Sequence, residues 1–264
     1  MYKYKKILNK YLLEYLKKPY SKQLSSHLLR FEEMYKPNEG SLYAYKFMPG
    51  YREDLQFLKS QIYLTNKSLI KSFKTDIGKT LMLTSSGKKV LFKEYPLQKL
   101  RSEKWDEMWS LISYDISSNK IRNFLRRLLI ENGFGTLHQS LMVSPLNVAE
   151  GISEFIKSKN LESKVSVFRC KRILGLSNVE IANKVFNLQE INLLYTDLYT
   201  NYNNAKQTKT GMGKWKNYFL AVNYFDPYLP YELLANSWKG DDCITLFRKE
   251  SSFIYKIMRK ITKN

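Results

Sequence analysis

The sequence is poor in the residues that build metal centres and disulfide frameworks. It contains two cysteines, Cys170 and Cys243, and two histidines, His27 and His138, among 264 residues. Neither cysteine has a close-spaced partner, so these side chains do not form the paired pattern of a tetrahedral zinc site. We therefore expect both thiols to be ordinary buried residues, and we expect no metal site and no cofactor.

Long apolar runs are also missing. No run approaches the ~18 residues that a membrane-spanning helix requires. Residues 1–18 are interrupted by charges too often to form the apolar core of a signal peptide. We therefore expect a cytoplasmic protein that does not contact a membrane.

Acidic residues are scarce relative to basic ones. The chain has 44 lysines and arginines against 24 aspartates and glutamates, a formal net charge of +20. A field of this sign attracts polyanions, and double-stranded DNA is the default polyanion for a cytoplasmic protein. The excess is largest in residues 1–100, with 20 basic and 8 acidic residues. The alternative is a lysine-rich composition in which the charges only solvate the surface.

The N-terminal part, residues 1–96, has the pattern of a winged helix. Apolar spacing predicts helix over residues 5–34, broken at Pro19, and a further helix over Tyr51–Gln61. Two short strands, 69–73 and 80–84, flank a turn over 74–79, and a basic hairpin after helices is typical of a wing. The predicted DNA-binding residues are Arg52, Gln56 and Lys59 on the helix, and Lys71, Lys74 and Lys79 on the hairpin. The alternative is a helix that covers its own core.

The central part, residues 105–173, reads as alternating strands and helices. A strand over 111–114 precedes a helix that ends at Asn132-Gly133, where glycine favours a left-handed cap. The apolar stripe of this helix consists of Ile121, Phe124, Leu125, Leu128 and Leu129. Thr136–Val143 reads as a second strand, 148–157 as a second helix and 164–170 as a further strand. The order predicts a ferredoxin-like (βαββαβ) domain, and the whole chain an α+β fold.

The C-terminal part, residues 177–264, has helical spacing throughout. A polar stretch with two glycines, 203–213, predicts a mobile loop, and 214–224 and 251–261 predict the last helices. An aromatic, proline-bearing segment joins those helices. It favours either an effector pocket or a rigid corner that packs aromatic rings, and the two interpretations stay open. The candidate effector-binding residues are Tyr228, Tyr231, Trp238 and Arg248.

Several of these motifs together resemble the PaaX-type transcriptional regulators, the phenylacetate-catabolism repressor family, over roughly residues 80–260. The motifs are Trp105-Asp-x-x-Trp109, Tyr114-Asp115-Ile116, Arg126-Arg127, Gly133-Phe-Gly135, the segment from Asn187-Leu188 to Tyr195, and Asp226-Pro227-x-Leu229-Pro230-x-Glu232-Leu233-Leu234. The resemblance implies an N-terminal winged helix, a central ferredoxin-like dimerisation domain and a C-terminal helical domain. It further implies a homodimeric repressor that an acyl-coenzyme A-like effector releases from DNA.

The central motif is also similar to a second family, the small ferredoxin-like nuclease subunit associated with CRISPR systems. The first strand of that family ends in a Tyr-Asp pair whose aspartate binds metal, and here the pair is Tyr114-Asp115. This resemblance implies a metal-dependent nuclease that uses Asp115. The other interpretation of Asp115 is structural, as an acceptor for amides around Ser117–Asn119 at the start of a helix.

Overall fold

The computed structural model divides the chain into two compact units. One unit comprises Met1–Leu91, Gln189–Asp226 and Ser237–Asn264, and the other comprises Phe92–Leu188 and Pro227–Asn236. The structure describes residues 2–18, 22, 55–75, 78–94, 104–147, 149–173 and 175–261. The fold is mixed α+β, as predicted.

The central unit is built on a four-stranded antiparallel sheet. Its elements are β3 (Trp109–Tyr114), α4 (Asn119–Glu131), β4 (Gly135–His138), β5 (Leu141–Ser144), α5 (Ala149–Ser158), β6 (Val165–Cys170) and α6 (Asn178–Phe186). The strands lie in the order β4-β5-β3-β6, so β6 forms one edge. Apolar residues of β3, β5, β6 and the helices form one core: Ile112, Tyr114, Ile116, Leu125, Leu129, Phe134, Met142, Ile152, Ile156, Leu161 and Val165.

The stretch 136–143 differs from the single strand that the sequence predicted. It contains the hairpin β4–β5, in which a tight turn at Gln139-Ser140 reverses the chain and His138 pairs with Leu141. Apolar residues occur in both strands, and the turn has no glycine or proline to mark it. The prediction of one continuous strand was therefore wrong.

Helix α4 ends where the sequence predicted, but its apolar stripe is wider than its buried face. Asn132 follows the last turn and Gly133 has φ of 82°, the left-handed conformation expected of the cap. Leu125 and Leu129 are fully buried, whereas Ile121 and Phe124 are 42% and 46% exposed. Two of the five stripe residues therefore lie at the surface of the unit.

The other unit contains a helical bundle. Its helices are α1 (Lys5–Leu16), α7 (Leu188–Lys206), α8 (Lys209–Phe225) and α9 (Gly240–Ile261). Helix α1 packs along α8, and the bundle core is formed by Leu8, Ile191, Leu194, Tyr195, Leu198, Tyr202, Ala205, Trp215, Tyr218, Phe219, Leu220, Val222, Cys243, Ile244 and Phe247. Cys243 is buried as predicted, whereas Cys170 is only partly buried.

The predicted mobile loop over 203–213 is instead a tight connection between two helices. Only Gln207 and Thr208 separate α7 from α8, and the Thr208 hydroxyl accepts a hydrogen bond from the Gly211 amide at 2.9 Å. A Cβ at Gly211 would lie 2.7 Å from the Ala205 carbonyl oxygen. The glycine that suggested a loop is there because the two helices approach closely.

The same unit contains the basic segment that the sequence analysis assigned to DNA. It consists of α2 (Leu55–Asn66), the hairpin strands β1 (Ile70–Thr75) and β2 (Gly78–Leu83), and α3 (Ser85–Glu94). In the part of the chain that the structure describes, no helix is both long and apolar enough to cross a membrane.

Candidate nucleic-acid interface

The hairpin places pairs of residues opposite one another in a regular antiparallel register. Pairing runs from Ile70–Leu83 to Thr75–Gly78, and Lys74 lies opposite Lys79. Like charges at directly opposed positions destabilise a strand pair. Two basic residues in register beside the turn therefore favour an anionic partner.

Hydrogen bonds fix the hairpin to the helices before and after it. The Leu69 amide donates to the Leu64 carbonyl at 2.9 Å, and the Thr84 amide donates to the Leu69 carbonyl at 3.0 Å. The Thr84 hydroxyl donates to the Ser68 carbonyl at 2.6 Å. It also accepts from the Gly87 amide at 2.8 Å, which caps α3. The position of the hairpin is therefore set by both neighbouring helices.

Gly87 is required by a close backbone contact. A Cβ at this position would lie 2.0 Å from the Leu69 carbonyl oxygen, far below van der Waals contact. Thr84 and Gly87 are thus the two residues that seat α3 against the start of β1. The close contact explains why residue 87, just after the hairpin, is a glycine.

Helix α2 has one buried face and one solvent-facing face. Leu64 is 2% exposed, and Ser60 is also buried. The residues on the other side recur at i, i+3, i+4 and i+7, the spacing of one helical stripe. This exposed stripe consists of Lys59, Ile62, Tyr63 and Asn66.

The predicted DNA-binding residues lie at different places in the structure. Lys59 lies on the exposed stripe, and Lys71 is exposed on β1. Gln56 belongs to the first turn of α2, and Lys74 and Lys79 occupy paired positions of the hairpin. Arg52 lies outside the described residues. Their contacts with DNA stay predictions.

Sequence reasoning missed the other members of the exposed stripe. Ile62 and Tyr63 are 52% and 53% exposed, although apolar residues at helical spacing usually indicate a core. The predicted helix ended at Gln61, whereas α2 continues to Asn66. Extending the helix by one turn and marking which face holds Leu64 would have placed Asn66 beside Lys59, Ile62 and Tyr63.

The charge of the basic segment is strongly one-sided. Residues 55–94 contain eight lysines but only Asp76 and Glu94 as acids. The lysines are Lys59, Lys67, Lys71, Lys74, Lys79, Lys88, Lys89 and Lys93. A segment of this charge favours phosphate groups as partners.

Asp115, the residue of the nuclease interpretation, lies just after β3. Its side chain is exposed, and its backbone amide donates to the Lys164 carbonyl at 2.8 Å. Ser118 occupies the N-cap position of α4, but its side chain makes no capping hydrogen bond. Among the residues that the structure describes, no group of three or more histidines, cysteines, aspartates or glutamates is arranged to hold a metal ion.

The four candidate effector-binding residues are divided between the two units. Tyr228 and Tyr231 belong to the central unit, where Tyr228 is buried with φ of 58° and Tyr231 is 59% exposed. Trp238 and Arg248 belong to the other unit. There the Trp238 ring packs edge-on against Tyr195, with 5.6 Å between centroids. Packing of this kind favours the rigid-corner interpretation for Trp238, and the effector roles of all four stay predictions.

Comparison with known proteins finds a family match, a similar repressor and a similar solved structure. Residues 102–182 match the family described as the PaaX protein central Cas2-like domain. The chain is 24% identical over 165 residues to the transcriptional repressor PaaX of Escherichia coli (strain K12). The alignment covers 55% of this chain and 52% of the repressor. The chain thus spans about half the length of that relative.

A solved structure, the uncharacterized protein Rv0674 from Mycobacterium tuberculosis, is 15% identical, with a TM-score of 0.48 over 90% of this chain and 96% of that one. The family match covers the strand-helix-strand stretch whose motifs carried the resemblance. The resemblance to PaaX-type regulators is therefore confirmed by the match over residues 102–182 and by the similarity to the repressor.

Proposed function

We propose that this protein is a transcriptional repressor that binds double-stranded DNA through an N-terminal winged helix. In this proposal α2 enters the major groove and the β1–β2 hairpin is the wing that contacts the phosphate backbone. The observation that carries it is the juxtaposition in one segment of an exposed helix stripe with Lys59 and a hairpin with Lys74 opposite Lys79. Similarity to a transcriptional repressor supports it. The protein is then a regulator and not an enzyme.

The central unit is, in the same proposal, a ferredoxin-like dimerisation domain. Its element order is β-α-β-β-α-β, with β3 between β5 and β6. Leu111 pairs in register with both Val143 and Phe168, so these side chains share one sheet face. Phe168 is 52% exposed on the edge strand. An exposed aromatic residue in such a row is suited to a second copy of the chain, and a palindromic operator would match the resulting symmetry.

The effector of the proposed repressor is an acyl-coenzyme A-like compound. The support is the resemblance to PaaX-type regulators; the candidate residues are Tyr228 and Tyr231 in the central unit, and Trp238 and Arg248 in the other unit. The test is a scan of acyl-coenzyme A compounds against the protein–DNA complex. Release of DNA by one such compound, and not by free coenzyme A, is the expected result.

DNA binding is tested by a gel-shift titration of the full chain on the region upstream of its own gene, at several salt concentrations. Each phosphate contact contributes about 0.9 log units of affinity per log unit of salt. The variant with Arg52, Lys59, Lys74 and Lys79 all changed to glutamine should bind far more weakly and with a salt slope smaller by about 4.

The matched control changes four exposed lysines of the central unit, Lys120, Lys157, Lys159 and Lys164, to glutamine. It removes the same number of charges, so a loss caused only by net charge would appear in both variants. Equal affinity of the first variant and the parent protein would overturn the assigned surface. Failure of the parent protein to bind DNA under any salt condition would overturn the function.

A further inference from the structure

The exposed stripe of α2 contains chemistry that phosphate binding does not use. Ile62 and Tyr63 are adjacent apolar side chains, each more than half exposed, on a helix whose other face is buried through Ser60 and Leu64. Scattered single apolar residues at a surface need no explanation, but these two lie together on one exposed stripe with Lys59 and Asn66. Lysine side chains can contact the DNA backbone without apolar neighbours, so phosphate binding does not explain Ile62 and Tyr63.

The surroundings of these two side chains indicate which partner they face. Lys59 lies one turn before Tyr63 on the same stripe, and Lys67 follows the helix. The nearest acid in sequence after the helix is Asp76, and the whole segment has eight lysines against two acids. A positive field around an apolar pair favours a partner that presents both phosphates and apolar groups. The major groove of DNA does so through the C5-methyl group of thymine.

Asn66 adds the complementary polar contact. It is exposed at the last position of α2, one turn beyond Tyr63. An asparagine side chain pairs with the N6 and N7 positions of adenine, whereas guanine is read mainly by arginine or lysine. The stripe thus presents two apolar groups and one amide, and its only cation is Lys59.

We infer that Ile62 and Tyr63 contact thymine methyl groups and that Asn66 contacts adenine, so that α2 reads A·T base pairs within the operator. This inference rests on the proposed function and adds the bases that the helix selects. Lys59 and the hairpin lysines then supply affinity that is independent of sequence.

The experiment uses the full chain and the shortest operator fragment that it binds. Thymines are replaced one at a time by deoxyuridine, which keeps the base pair but lacks the methyl group. At contacted positions the affinity of the parent protein should fall about fourfold, the equivalent of one buried methylene. Replacing the contacted adenine by 7-deazaadenine, which lacks N7, should weaken the parent protein and have no effect on Asn66→Ala.

Two variants assign the contacts. The double variant Ile62→Ala, Tyr63→Ala should bind the unmodified operator more weakly and should lose all sensitivity to deoxyuridine. Lys59→Gln should also bind more weakly but should keep that sensitivity, because it removes a charge from the same stripe without removing an apolar contact. Circular dichroism of each variant shows whether the variant is folded. The deoxyuridine measurements on the parent protein test the inference even if a variant fails to fold.

The outcomes separate the inference from the function on which it rests. A parent protein that binds the operator equally well with thymine and with deoxyuridine overturns the inference and leaves the proposed repressor standing. Unchanged operator affinity in the double variant does the same. Absence of DNA binding by the parent protein overturns both.

Discussion

The hydroxyl group of Tyr202 donates a hydrogen bond to the carboxylate of Glu250 inside the helical bundle. The two residues are 6% and 7% exposed, and Lys206 Nζ lies 3.7 Å from the same carboxylate oxygen. Lys216 is also buried, with 4% exposure. Burial, and then the bond to Glu250, raise the pKa of Tyr202, so its phenol stays protonated and donates. Glu250 is thus the acceptor and counter-charge of a buried polar cluster.

Removing Glu250 should destabilise the bundle strongly. Glu250→Ala takes away the acceptor of Tyr202 and the negative charge near Lys216, and leaving a buried donor without its acceptor costs about 1–3 kcal/mol, and more where a charged group is involved. Glu250→Gln keeps an acceptor oxygen and should cost about 1–3 kcal/mol less than the alanine variant. The free energy of unfolding in urea measures both. Equal losses in the two variants would contradict the role of the tyrosine hydrogen bond.

The charge of Lys216 should make stability depend on pH. Burial lowers the pKa of Lys216, and the nearby Glu250 raises it by a smaller amount. The folded state therefore binds fewer protons than the unfolded state between the lowered pKa and the ordinary lysine value near 10.5, and stability rises with pH across that window. Tyr202 has a raised pKa and acts in the opposite direction only above about pH 10. In urea unfolding from pH 7 to 10, Lys216→Met should show a flatter dependence than the parent protein. Parallel curves would contradict this origin.

The contact between α3 and the start of the hairpin should be sensitive to a single methyl group at Gly87. Gly87→Ala forces a Cβ against the Leu69 carbonyl oxygen, and overpacking of this kind costs about 1–3 kcal/mol. We expect a lower midpoint of thermal unfolding and weaker DNA binding, because the wing would shift relative to α2. Gly213→Ala is the control: a Cβ there meets no atom within 4 Å, and alanine favours a helix by about 1 kcal/mol. The midpoint of thermal unfolding should fall in Gly87→Ala and rise in Gly213→Ala. A higher midpoint in Gly87→Ala would contradict the tight contact.

Local signals in the sequence were enough where a single residue type decides the structure. Gly133 ends α4 because that position needs φ of 82°. Two short strands on either side of a turn predicted the hairpin, although β1 and β2 extend into the predicted turn as far as Thr75 and Gly78. Such features depend only on neighbouring residues. The existence of helices and strands over most of the described chain could therefore be predicted.

Features that depend on tertiary contacts could not be read in the same way. Gly211 looks like a loop residue until the Ala205 carbonyl is placed beside it, and the β4–β5 turn has no residue that marks it. Ile62, Tyr63, Ile121 and Phe124 have the spacing of core residues but are exposed. Helical spacing shows which residues share a face, and only the packed structure shows whether that face is covered.

The apolar row on the central sheet predicts the oligomeric state. Phe168→Asp places a charge at the exposed end of the row, beyond Leu111 and the buried Val143, and a charge buried at an interface is costly. If the row joins two copies, light scattering coupled to size exclusion should give a dimer for the parent protein and a monomer for the variant. The control is Ile130→Asp, which changes a 54% exposed residue of α4 and should leave the dimer intact. A dimer in both variants would show that the interface does not include Phe168.

The two thiols should differ sharply in reactivity. Cys243 is fully buried, its thiol donates to the Tyr195 carbonyl at 3.2 Å, and burial raises its pKa. Because the thiolate is the reactive form, Cys243 should not react until the bundle opens. Cys170 is partly exposed at the end of the edge strand β6. Burial raises its pKa as well, so it should react slowly but measurably. A chromogenic disulfide reagent should therefore label one thiol per native chain and two in denaturant. Cys170→Ser should abolish the native reaction, and persistence of that reaction would show that the bundle around Cys243 opens in the native state.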